Sequence, residues 1–280
     1  MFKFLVFFFV FVLFVSCSKE TIKKSTIKEK SLELQVQEAY KEGMEALDSG
    51  DVLYAAKKFN EAEILFPQAN SAPQSALMAA YSYYTQDYYG DAIAELQRFL
   101  KVYPTSKDLG YVYYLLAICY YEQIVDEKKD LQSIINAKKN FNIIIKNYPN
   151  TEYAIDAEFK IDLINDILAA KEMYLGRYYF DKKKWIPAIS RFREIIDKYD
   201  TTIYAEEALH RLVEVHYSIG LIDEAEKYAQ LLGYNYQSSK WYENSYSLFN
   251  KTYEKRKKER FKTYKKKGGG LLKKFKTLLE

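Results

Sequence analysis

The sequence predicts an all-α chain of about five stacked helix pairs, with a long central helix and flexible termini. Three observations carry that expectation. Apolar residues make up 49% of the 280 positions, while glycine and proline number only 10 and 5 and fall between stretches of helical periodicity, so connections are short. The stretch from Ala39 to Pro67 reads as two short amphipathic helices around a turn at Asp48 to Asp51, neither able to bury its apolar stripe alone. Its small and bulky residues, Gly43, Ala46, Ala55, Phe59, Ala62 and Pro67, return 37 positions later as Ala80, Tyr83, Ala92, Leu96, Phe99 and Pro104. A unit that repeats in register buries its stripe against the next copy.

This spacing resembles the tetratricopeptide pattern, in which small residues let two helices approach and proline ends the second. The resemblance implies a right-handed tetratricopeptide-like superhelix, a scaffold whose function lies on the surface that stacking creates. A third copy carries Ala117, Tyr120, Ala137, Phe141 and Pro149, with eight extra residues around Val125 to Ile134. A fourth has Gly176, Tyr179, Ala188, Phe192 and Ile195, with Asp200 in the proline position. The segment before it, Tyr153 to Ala170, has helical periodicity and no breaker before Gly176, which predicts one long helix or two nearly collinear ones. A fifth, weaker copy has Leu212, His216, Ala225, Ala229 and Leu232, and the segment Trp241 to Tyr253 is expected to cap the array. Residues 35–150 thus form a front half of three repeats, and 151–250 a back half of two repeats plus cap.

At the N-terminus, Met1 and Lys3 lead into the apolar run Phe4 to Val15. The run is shorter than the roughly 20 residues of a membrane span and has the charged start of a secretory signal. Its ending, Phe14-Val15-Ser16-Cys17, resembles a bacterial lipobox, although Phe14 stands where leucine is usual. That resemblance implies removal of residues 1–16 and a diacylglyceryl group on Cys17, and Ser18 in place of Asp implies sorting to the outer membrane. An ordinary signal peptide with a stray cysteine is the other reading. Residues 17–34 are then a polar, lysine-rich tether. With Cys17 lipidated, Cys119 is expected as a small core residue, without a disulfide.

The last thirty residues, 251–280, hold thirteen Lys or Arg against three Glu, a net of +10 in a chain of net +4. The charge asymmetry therefore belongs to the tail. Its end places Leu271, Leu272, Phe275, Leu278 and Leu279 on one helical face, with Lys273, Lys274 and Lys276 towards the other. That pattern resembles an interfacial helix on an anionic membrane. A solvated tail and a helix that docks on a protein remain open.

The lipobox cysteine, short tether and irregular repeats around a long helix together resemble the BamD family, outer-membrane lipoproteins of the β-barrel assembly machine. The resemblance covers roughly Cys17 to Asn250 and rests on DSGDVLYAAKKFNEAEILFP, YYGDAIAELQRFLKVYPTS and PNTEYAIDAEFKIDLIND. It implies an outer-membrane-anchored, periplasm-facing scaffold that catalyses nothing. The C-terminal half would bind a BamA-like β-barrel insertase, and the N-terminal repeats the C-terminal targeting segment of unfolded outer-membrane proteins. Other assembly lipoproteins are further candidate partners.

In a tetratricopeptide superhelix the concave wall is lined by first-helix residues facing away from the second helix. Counted from the small position of each unit, these are Tyr40, Met44 and Leu47, then Leu77, Tyr81 and Tyr84, then Tyr114, Ile118 and Tyr121. Tyrosine offers an apolar face and a hydroxyl at low rotamer entropy, which suits an extended aromatic peptide; the same tyrosines also suit packing between repeats. In the back half, Arg177, Arg191, Arg193 and Arg211, with Glu206 and Glu207, are expected as charged rim contacts to the insertase, or else as a solvated face.

Enzyme motifs are missing from the sequence. His210 and His216 lie six apart and do not stack on one helix face, and no HExxH or paired-cysteine spacing would hold a metal. Gly268 to Gly270 lack the GK(S/T) ending of a phosphate loop, and no GxSxG is present. Neither a metal nor a cofactor is implied. The basic tail would suit nucleic acid in a cytosolic protein, but the export signal argues against that partner. The alternatives are another periplasmic tetratricopeptide adaptor lipoprotein, or a membrane-surface scaffold acting through its tail.

Overall fold

A computed structural model describes residues 30–124 and 131–250; Cys17, the inserted segment's 125–130 and the basic tail lie outside them. The described residues form eleven helices and no strand. The front half runs α1 (Leu32–Ser49), α2 (Val52–Leu65), α3 (Ala72–Tyr84), α4 (Tyr89–Val102), α5 (Leu109–Tyr121) and α6 (Gln132–Asn147). The back half runs α7 (Glu152–Asp181), α8 (Trp185–Lys198), α9 (Ala205–Ser218), α10 (Ile222–Asn235) and α11 (Lys240–Phe249). Each of α1 to α10 packs against the helix that follows it, so the stack is unbroken from end to end.

Local chemistry sets the boundaries. Ser31 caps α1 by accepting the Leu34 N–H, so the helix starts within the stretch expected as tether. Gly50, at φ 84°, ends α1 by donating to the carbonyls of Ala46 and Leu47. Asp51 then caps α2 through the Tyr54 N–H, which makes the turn expected at Asp48 to Asp51. In the left-handed region a side chain would be strained, which is why glycine serves there. Helix α7 starts at Thr151, whose hydroxyl accepts the Ala154 N–H, and continues for 30 residues. Of the two arrangements open from sequence, it adopts the single helix.

The core is built from one fully buried phenylalanine in each of four second helices: Phe59 in α2, Phe99 in α4, Phe141 in α6 and Phe192 in α8. Two of these rings lie against glycine. A Cβ on Gly43 would fall 2.9 Å from Phe59 Cε1, and one on Gly176 would meet the Phe192 ring still more closely. Gly43 and Gly176 are therefore sites of backbone-to-ring contact. At the far end, His210 of α9 is buried, lies 2.8 Å from Ser245 Oγ of α11 and stacks at 5.2 Å on Trp241, tying the last helix to the array.

Cys119 is fully buried and free, and burial pushes its thiol up to about 12. A thiol held so high is almost wholly protonated at neutral pH, and the thiolate is the reactive form. Alkylation of Cys119 by iodoacetamide at pH 8 should therefore follow global unfolding. Mass spectrometry of the peptide containing Cys119 should show rapid labelling in denaturant and slow labelling without it. Equal rates would place the thiol in water.

Candidate functional site

The first helices α1, α3 and α5, with the start of α7, carry a run of half-buried aromatic side chains. On α1, the Tyr40 ring meets Phe59 edge-on at 5.1 Å, and its hydroxyl accepts a hydrogen bond from Gln74 Nε2 of α3 at 3.3 Å. Met44 and Leu47 pack beside it against the cluster around Phe59. On α3, Leu77, Tyr81 and Tyr84 are half-buried, with the two tyrosine rings 6.2 Å apart. On α5, the Tyr114 hydroxyl donates to Asp156 Oδ2 of α7 at 2.9 Å, and its ring lies 5.1 Å from Tyr153. Tyr121 meets Phe141 edge-on, and the Lys160 ammonium sits 4.6 Å from the Tyr121 ring centroid, close enough for a cation–π contact. Ile118 differs from its neighbours: it is only 6% exposed and belongs to the core beneath them.

The structure adds members that the sequence reading missed. Tyr111 stacks at 5.5 Å on Tyr153, and burial, with smaller contributions from Tyr81 and Tyr153, pushes its phenol up to about 12. Burial likewise raises Tyr40, Tyr84 and Tyr114, with Asp156 adding to the effect at Tyr114. These phenols stay neutral across physiological pH, so the wall offers hydroxyls without charge. Tyr111 was findable, since it stands one helical turn before Tyr114. Tyr153 escaped a count confined to the first helices of the three front repeats, because it opens α7.

Where α3 begins, a recess of about 480 Å³ opens between that helix and the turn leading into α5. Leu77 and Met78 supply its apolar side, and Asn70, Gln74, Ser106, Lys107 and Asp108 its polar rim. Lys107 is exposed, and no ion pair to it is seen among the described residues. A concave site with an apolar side and a few polar groups is what an extended peptide end requires.

The charged residues divide into two kinds. Glu207, buried on α9, is bound by Arg177 of α7, with Nε at 2.9 Å and Nη2 on the second oxygen, and by Arg211 Nε at 3.2 Å; Arg211 also reaches Glu214 at 2.7 Å. Arg191 donates to Glu172 at 3.0 Å, joining α8 to α7. Burying a carboxylate demands such partners, so Arg177, Arg191, Glu207 and Arg211 are engaged within the chain. Arg193 is exposed and Glu206 half-exposed, and neither forms an ion pair among the described residues. The front half has a similar clamp: Glu63 of α2, 5% exposed, accepts from Arg98 of α4 at 2.8 and 2.6 Å and from the Tyr103 hydroxyl at 2.7 Å. Cys17, expected to carry the lipid, and the tail residues Leu271, Leu272, Lys273, Lys274, Phe275 and Lys276, expected at a membrane surface, lie outside the described residues.

Among the described residues, no group of His, Cys, Asp and Glu side chains is placed to hold a metal ion, and no helix is long and apolar enough to cross a membrane.

Comparison with known proteins gives a consistent set of relatives. The family profile described as YfiO, outer membrane lipoprotein, matches residues 32–231. An outer membrane protein assembly factor BamD from Rickettsia prowazekii is 44% identical over 209 residues, covering 75% of this chain and 83% of that protein. Its counterpart of the same name from Caulobacter vibrioides is 39% identical over 234 residues, covering 84% and 76% respectively. Among solved structures, a tetratricopeptide repeat protein from Parabacteroides merdae aligns over 77% of this chain and 74% of its own, at 14% identity and a TM-score of 0.35.

Proposed function

Since the chain belongs to the YfiO family of outer-membrane lipoproteins, whose relatives here are named BamD assembly factors, we propose that it is a scaffold in outer-membrane protein assembly, held at the outer membrane through Cys17 and facing the periplasm. Its front half captures the C-terminal aromatic segment of unfolded outer-membrane proteins. Its back half contacts a BamA-like insertase, through Arg193 and Glu206 rather than the clamped Arg177, Arg191, Glu207 and Arg211. No catalytic step is part of this role.

The observation that carries the peptide reading is the recess lined by Leu77, on the same helix α3 as Tyr81 and Tyr84. Neutral phenols and a free lysine suit a peptide with aromatic side chains and a terminal carboxylate. A photoreactive residue at Gln74 should crosslink a synthetic peptide matching the C-terminus of a barrel protein. Lys107→Glu should reduce capture by about tenfold, as expected when one charge-assisted contact is reversed. Equal capture of a peptide lacking aromatics, or of one amidated at its C-terminus, would overturn this assignment.

A further inference from the structure

The first helices α1, α3, α5, α7 and α9 each pack against a following second helix, whereas α11 packs back on α9 and α10 and is followed by no other helix among the described residues. Beside it, α10 and α11 leave a groove of about 500 Å³ whose lining includes Glu226, Ala229, Tyr234, Tyr242, Tyr246 and Phe249. Tyr234 is 85% exposed. Aromatic surface concentrated at the open end of a solenoid is surface that the next helix of the array would cover.

We propose that residues 271–279 of this chain fill the groove, acting in cis as the second helix of the last unit. The chain leaves α11 at Phe249, itself a lining residue. The segment from 250 to 270 can extend about 3.3 Å per residue, far more than is needed to turn back. Gly268, Gly269 and Gly270 stand just before the segment and supply the backbone freedom for a reversal. The pattern Leu271, Leu272, Phe275, Leu278 and Leu279 matches one helical face and carries an aromatic ring among aliphatic residues, as α4, α6 and α8 do. Nine helical residues extend about 13 Å, close to the length of the ten-residue α11. Charge also fits: residues 222–249 hold Asp223, Glu224, Glu226 and Glu243 against Lys227 and Lys240, a net of −2, facing a tail of +10. Glu226 on the groove rim is placed to meet Lys273, Lys274 or Lys276.

The test is a photoreactive residue at position 234 of the full chain, purified without lipid from mixed ordinary and isotope-labelled populations. Crosslinks should join position 234 to residues 271–279 within single-isotope chains. They should fall by about tenfold in the Leu272→Asp/Phe275→Asp variant, because tethering gives even a modest contact a high effective concentration. Amide exchange in α10 and α11 should rise in that variant while α1 to α6 stay unchanged. Several results would overturn the proposal: no crosslink to the segment, a yield unaffected by the double substitution, or mixed-isotope pairs that reveal a second copy.

Discussion

Gly176→Leu should destabilise the back half by about 3 kcal/mol or more, the upper range for overpacking a filled core. Two effects of opposite sign meet at this residue. In an exposed helix, replacing glycine by a better helix former gains up to about 1 kcal/mol. At position 176, even a bare Cβ would collide with the Phe192 ring, and that ring is fully buried among Ala169, Met173, Ala188, Ile195 and Ala208, so it has nowhere to move. The clash therefore outweighs the propensity gain, and Gly176→Ala should already lose stability. Phe192→Ala removes the obstacle but opens a cavity, costing about 3–5 kcal/mol alone. Because both residues share one contact, the double variant Gly176→Leu/Phe192→Ala should lose less than the sum of its parts. Urea unfolding followed by circular dichroism measures all four, and a Gly176→Ala protein as stable as the parent would show that the ring yields.

Arg98→Ala should cost about 2 kcal/mol by leaving Glu63 buried with only the Tyr103 hydroxyl to satisfy it. Removing one partner of a buried ion pair costs roughly 3–5 kcal/mol where both charges are dry. Here Glu63 is buried but the Arg98 side chain is 38% exposed, and water screening at the arginine brings the figure down. Replacing both, as Glu63→Leu/Arg98→Met, removes the stranded charge along with its partner. That protein should recover most of the loss. The double-mutant cycle separates the pair's interaction from packing of the long side chains, and a double variant no more stable than Arg98→Ala would show that Glu63 was never the source of the loss.

The fold was legible because a repeat spacing fixes geometry directly. Gly43 and Gly176 precede Phe59 and Phe192 by the same interval, and that interval places each ring on each glycine. The long helix was legible for the opposite reason, since nothing between Tyr153 and Gly176 could end it. The charged clamps were not legible. Glu63 and Arg98 lie 35 positions apart, and Arg177 and Glu207 lie 30 apart, so each pair forms only when neighbouring units stack. Sequence shows such residues as surface charges and gives no sign of which carboxylate the stacking will bury. The tyrosine wall was legible in its middle, at Tyr81, Tyr84 and Tyr114, but Ile118 was counted in it because a face count alone cannot tell a wall from the core one turn away.

Helix α7 spans the junction of the two halves as one uninterrupted rod, about 45 Å long at 1.5 Å per residue. Tyr153 and Asp156 stand near one end, and Arg177 near the other. The glycine along its length that would most easily bend, Gly176, is pinned under the Phe192 ring. The rod thus acts as a ruler: the front tyrosines stay at a set remove from the back rim, a gap fixed by the helix itself.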